Sequence, residues 1–127
     1  MSGPFKGVRV LELTSTVSGP FAGMMLADQG AEVIKIEPPG IGDLARFMGT
    51  IKDGMGAMFS TLNRNKKCIC LDFKNEDDLS VLLELVSTTD VLIENYRPGI
   101  VKKLGIDYET LKAVSYTHLR AHETVLD

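Results

Sequence analysis

The stretch from Gly7 to Glu37 constrains the fold more than any other part of the chain. It opens on Val8, Val10 and Leu11, passes through Ser18-Gly19-Pro20, and returns as Glu32-Val-Ile-Lys-Ile36. A strand over 6–13, a helix over 19–29 and a second strand over 32–37 are expected. Ser18 is placed to cap the helix and Pro20 to occupy its first turn, where a missing N–H costs nothing. Phe21, Met24 and Met25 fall at helical spacing and give an apolar stripe. Gly30 suits a left-handed helix end. Parallel strands joined by a helix form a right-handed βαβ unit. Such sheets bind ligands outside the carboxyl ends of their strands, where a helix N-terminus favours anions.

The alternation continues downstream of a Pro/Gly-rich loop at Pro38–Gly42. Met55–Leu62 reads as a short helix and Lys67–Phe73 as a strand with Ile69, Leu71 and Phe73 on one face. Asn75 can cap the next helix, and Glu76, Asp77 and Asp78 crowd its first turn, where the helix dipole favours acids. Leu79, Leu82, Leu83 and Val86 form its buried stripe. Asp90–Glu94 is a further strand, Pro98-Gly99 opens a short helix, and Asp107 can cap a last one ending near Val114. The pattern predicts the α/β class: a Rossmann-like parallel sheet with helices on both faces.

The 127 residues suit one domain. A net charge of −3 gives no bulk attraction to nucleic acid. No apolar run is long enough to span a membrane, and Met-Ser-Gly-Pro-Phe-Lys lacks the apolar core of a signal peptide, so a cytoplasmic setting is expected. Cys68 and Cys70 sit about 6.5–7 Å apart along one strand face, a poor spacing for a disulfide, and two buried thiols are expected. His118 and His122 at i, i+4 are too few ligands for a tight zinc site, and Glu123 is misplaced for H-E-x-x-H. No metal site is expected.

Four segments in order carry a resemblance: GVRVLELTSTVSGPFAGMMLADQGAEVIKIEPPG with Gly42-Asp43-Leu-Ala-Arg46 after it, NRNKKCICLDFK at 63–74, DVLIENYRPG at 90–99 and LGIDYETLKAV at 104–114. Together they resemble the N-terminal part of the family III CoA-transferases (CaiB/BaiF family), which includes formyl-CoA transferase, carnitine CoA-transferase and α-methylacyl-CoA racemase. The resemblance runs to Val114. Residues 1–114 are therefore expected to be the N-terminal part of that family's large domain, an incomplete domain. Residues 115–127 do not continue the family and are expected to be a non-native tail.

The resemblance implies an enzyme that moves CoA between carboxylic acids, with an acyl-CoA and a carboxylate acceptor as partners, no nucleic acid, no membrane and no permanently bound cofactor. Coenzyme A enters as substrate. An acyl-CoA α-epimerase of the same family is the alternative. Intact relatives are interlocked homodimers. By resemblance the CoA contacts fall at Val17 and Ser18, at Leu71, Asp72, Phe73 and Lys74, and at Asn95, Tyr96 and Arg97 with Lys103. Some relatives place an arginine, a phosphate contact, where this chain has Pro38. The aspartate that attacks the thioester lies beyond the resemblance, so no catalytic residue is expected here. Asp28 reads as a helix-surface acid, Asp43 as a loop or cap residue, and Arg64, Lys66 and Lys67 as a solvated edge. A dinucleotide-binding oxidoreductase is a further alternative: Glu37 mimics a ribose-binding acid, but Ser18-Gly19-Pro20-Phe21-Ala22-Gly23 lacks G-x-G-x-x-G.

Overall fold

The computed structural model describes residues 2–114 and the backbone of 119–121. Strand β1 (Arg9–Leu13) leads into helix α1 (Ser18–Asp28) and strand β2 (Glu32–Glu37). A 3₁₀ turn at Leu44–Phe47 and a two-residue hairpin, β3 (Ile51–Lys52) with β4 (Met55–Gly56), precede helix α2 (Ala57–Leu62). Strand β5 (Lys67–Cys70), helix α3 (Glu76–Val86) and strand β6 (Val91–Glu94) follow. Short helices α4 (Ile100–Lys103) and α5 (Tyr108–Lys112) and a strand β7 (Leu119–Ala121) complete the described chain. The order β5-β2-β1-β6-β7 is parallel throughout. All carboxyl ends therefore share one edge. The predicted α/β architecture is the one observed, and the histidine pair falls outside the described residues.

Alternation along the strands divides the core. Val10, Val33 and Ile93 pack against Ala27 of α1 and the following Ala31. Leu11, Leu13, Ile34, Ile36 and Leu92 pack on the opposite face against Leu82 and Val86 of α3 and Leu111 of α5. Each fully buried aliphatic side chain contributes about 1.5–3 kcal/mol of transfer free energy. Asn75 caps α3 by accepting from the N–H groups of Asp77 and Asp78, while Leu79 and Leu83 are only partly buried beside Leu82 and Val86. Gly30, at φ +102°, ends α1 by donating to the Ala27 carbonyl.

Three expectations are corrected. First, α1 starts at Ser18 itself. Its capping position is Val17, which has no side-chain cap, because the preceding loop is bonded to Asp43 instead. Second, Phe21 and Met25 are each 47% exposed. The helix turns Gly19, Pro20, Gly23, Met24 and Ala27 inward, and at Gly19 and Gly23 it lies too close to the sheet for any side chain. A Cβ on Gly19 would stand 2.4 Å from the Thr14 Cβ. Third, Cys68 and Cys70 are exposed rather than buried: β5 is an edge strand, and α1 packs over β1, β2 and β6 instead. The strand also stops at Cys70, short of Phe73, although Leu71 N still reaches the Glu37 carbonyl at 3.1 Å.

Candidate functional site

Two charges lie inside the apolar centres of their strands: Glu12 in β1 and Lys35 in β2, which are Cα partners in the parallel register. Both side chains are fully buried. Lys35 Nζ lies 2.8 Å from Glu12 Oε2, 2.8 Å from Asp43 Oδ2 and 3.0 Å from the Thr14 carbonyl. Lys66 Nζ, equally buried, lies 2.5 Å from Glu12 Oε1 and donates to the Pro20 carbonyl and to Asn63 Oδ1. Glu12 Oε1 and Asp43 Oδ2 take no hydrogen bond beyond these ammonium contacts, which satisfy them as ion pairs. Two carboxylates thus face two ammonium groups, and removing one partner of such a cluster costs about 3–5 kcal/mol. Burial lowers the pKa of Lys66, and Glu12 only partly opposes that. The expected solvated edge Arg64–Lys67 is therefore split: Lys66 is core, Arg64 pairs with Asp28 on the surface, and Lys67 pairs with Glu32.

Asp43 also organises the loop after β1. Its Oδ1 accepts from Thr16 N and Ala45 N, both at 2.9 Å, and from Ser15 Oγ at 3.1 Å. Burial alone would raise its carboxyl, but the Lys35 ammonium and these N–H groups hold it below the usual range. Asn95 grips the same loop from β6: its Oδ1 accepts from Ser15 N and its Nδ2 donates to the Ser15 carbonyl. Glu37 is committed in the same way. Burial would raise it, but a two-pronged pair with Arg46, at 2.8 and 2.7 Å, and the Asp43 N–H keep it low. The Arg46 guanidinium stacks over Phe59, 3.8 Å from the ring centre.

Above these groups, at the carboxyl edge, lies a cavity of about 400 Å³. Its lining is mostly apolar: Ile36, Pro38, Pro39, Leu71, Phe73 and Leu104, with Tyr96 beside them. The volume falls in the range of small-molecule sites. Lys74 and Arg97 stand at it, and among the described residues neither side chain engages in a hydrogen bond or ion pair. Asp72 accepts from Lys74 N, and burial together with Glu94 raises the Tyr96 phenol.

The residues singled out from the sequence are placed unevenly around this cavity. Leu71, Asp72, Phe73, Lys74, Asn95, Tyr96 and Arg97 line it together. Val17 and Ser18 are exposed and do not line it; Thr14 and Ser15 do so from that loop. The first helical bond of α1 runs from Phe21 N to the Val17 carbonyl, leaving the N–H groups of Ser18 and Gly19 outside the helical ladder. Lys103 is exposed on α4 and does not line the cavity, although Leu104 does. Glu12, Lys35 and Lys66 were missed. Opposite charges at equivalent positions of two strands otherwise rich in Val, Ile and Leu were the available signal.

Among the described residues no group of three or more potential metal-ligating side chains is assembled, and no helix is long and apolar enough to cross a membrane. Comparison with known proteins matches residues 5–117 to the model of CoA-transferase family III. The acetyl-CoA:oxalate CoA-transferase of Acetobacter aceti is 45% identical over 89% of this chain and 29% of its own length. The succinyl-CoA:glutarate CoA-transferase of Homo sapiens is 41% identical over 88% of this chain and 26% of its own. A CAIB/BAIF family protein from Brucella suis superposes with a TM-score of 0.89 at 37% identity, covering 96% of this chain and 33% of that structure. Rv3272 from M. tuberculosis gives 0.87 at 38% identity, covering 95% and 34%. The chain thus spans less than a third of the curated relatives it matches. With its parallel sheet, its sequence and its superposition all in agreement, the chain belongs to CoA-transferase family III.

Proposed function

We propose that the cavity is part of a coenzyme A site, and that the activity it serves is CoA transfer between carboxylic acids. The observation that carries this reading is the charge arrangement. Glu37 and Asp43 are held by cations within the chain and Asp72 accepts from Lys74 N, whereas the side chains of Lys74 and Arg97 are left to face an outside anion. An apolar hollow with a cationic rim fits a ligand that joins an aromatic base to phosphates. Relatives named for acetyl-CoA:oxalate and succinyl-CoA:glutarate transfer support acyl-CoA and a dicarboxylate as substrates. Within the proposed site Asn95 acts through Ser15, because both ends of its amide are engaged there. Lys103 contributes as a nearby cation, and Val17 and Ser18 through the N-terminus of α1.

Asp28, Asp43 and Asp72 are all hydrogen-bonded internally, so none is offered as the acyl-carrying aspartate. The same argument disfavours a dinucleotide reading, since Glu37 has both oxygens filled and cannot take a ribose. A cytoplasmic, homodimeric parent protein with residues 115–127 foreign to it completes the proposal. The exposed row Val17, Phe21 and Met25 supports further protein covering α1.

Calorimetric titration with CoA and with NADH tests the site. CoA is expected to bind weakly, above micromolar, and in preference to NADH. Arg97→Ala and Lys74→Ala are expected to weaken binding and flatten its salt dependence, because phosphate pairing is charge-driven. NADH binding in preference to CoA, or CoA binding indifferent to both substitutions, refutes the assignment.

A further inference from the structure

We propose that Asp43 is a positioning residue that, by gripping Thr16, holds the Ser15 wall of the cavity in a conformation the loop does not adopt unaided; the ligand-binding consequence rests on the CoA reading above. Thr16 has φ +76°. A β-branched residue in the left-handed region is strained and persists only where its surroundings over-determine it. Those surroundings are the Asp43 carboxylate, bonded to Thr16 N and Ser15 Oγ, and the Asn95 amide on the other side of Ser15. Asp43 is itself fixed: Lys35 holds Oδ2, Ala45 N binds Oδ1, and its own N–H donates to Glu37 Oε1 at 2.9 Å. One carboxylate therefore ties the loop after β1, the turn after β2 and the buried Lys35 into a single unit. Both oxygens are required. An asparagine supplies one oxygen, so it must turn its NH₂ either toward the Lys35 ammonium or toward the N–H groups of Thr16 and Ala45.

The test combines Asp43→Asn with Thr16→Gly. A glycine adopts positive φ without strain, so it makes the tether dispensable. Asp43→Asn is expected to weaken CoA binding about tenfold, by misplacing the wall. Adding Thr16→Gly is expected to recover most of that loss while leaving the drop in melting temperature. A merely structural Asp43 would lose both together. No weakening in D43N, or none recovered in the double variant, overturns the proposal. Hydrogen exchange at the Thr16 amide separates this idea from the CoA reading. If the wild-type chain binds no CoA, the CoA reading falls, and exchange alone decides: at least tenfold faster in D43N supports positioning, unchanged exchange refutes it. Should D43N fail to fold, Thr16→Gly alone decides. It is expected to melt no lower than wild type, because it relieves strain, and a fall of several degrees overturns the proposal.

Discussion

Replacing Gly23 by alanine sets two large effects against each other. Gly23 lies within α1, where alanine favours the helix by about 1 kcal/mol. Helix propensity alone therefore predicts stabilisation. The structure predicts the reverse. A Cβ at this position would stand 2.0 Å from Glu12 Oε1 and 3.3 Å from Lys66 Nζ. Glu12 has no room to retreat: it is fully buried and held by Lys35 and Lys66. Either α1 lifts from the sheet or Glu12 leaves one ammonium unpaired, at a cost of about 3–5 kcal/mol. Subtracting the propensity gain leaves a net loss of about 2–4 kcal/mol. At about 4 °C per kcal/mol for a domain of this size, the midpoint falls by about 8–16 °C. Thermal unfolding followed by circular dichroism at neutral pH measures it. An unchanged or higher midpoint for G23A refutes the claim that Glu12 and Lys66 are locked beneath the helix.

Acid should destabilise the fold through the same region. Asp43 and Glu37 titrate below their unfolded values, so their contribution is present above the unfolded carboxylate range near ~4 and is lost as pH falls through the folded values; denaturant midpoints from pH 6 to pH 2 should show this, and D43N should flatten the decline. Phe21→Lys and Met25→Lys should change stability by no more than about 0.5 kcal/mol, since both side chains are exposed, and should raise the solubility limit; a larger loss in urea unfolding would show that they are packed. Both cysteines should react with a thiol reagent in the folded chain; a thiol that reacts only after unfolding would contradict the exposed edge strand.

Elements that depend on local pattern were legible in the sequence. The βαβ unit follows from apolar runs, Pro20 and Gly30, and the α3 cap follows from Asn75 ahead of three acids. Leu71–Lys74 and Asn95–Arg97 came from the resemblance, and their position at the ends of expected strands placed them at the carboxyl edge. Burial set by tertiary contact was not legible. Phe21 and Met25 have helical spacing, but which side of α1 faces the sheet depends on the Gly19 and Gly23 contacts with Thr14 and Glu12. Lys66 sits in a basic run that resembles a surface, and only its long-range partner Glu12 makes it core. Asp43 read as a cap, which it is for Ala45, while its reach to Thr16 crosses 27 positions of chain.

The Glu12–Lys35 pairing makes strand alignment a matter of charge matching. Parallel strands made only of Val, Leu and Ile have little to distinguish one alignment from the next, yet a one-residue slip turns every side chain to the other face. Here such a slip of β2 would carry the Lys35 ammonium to the side occupied by Leu82 and Val86, away from the Glu12 and Asp43 carboxylates. It would equally strand Glu12 beneath Gly23 with Lys66 as its one ammonium partner. An uncompensated buried charge costs several kcal/mol, so misaligned sheets are penalised as they form. The buried Glu12–Lys35 pair thereby acts as a key for assembling β1 on β2, before any ligand is present.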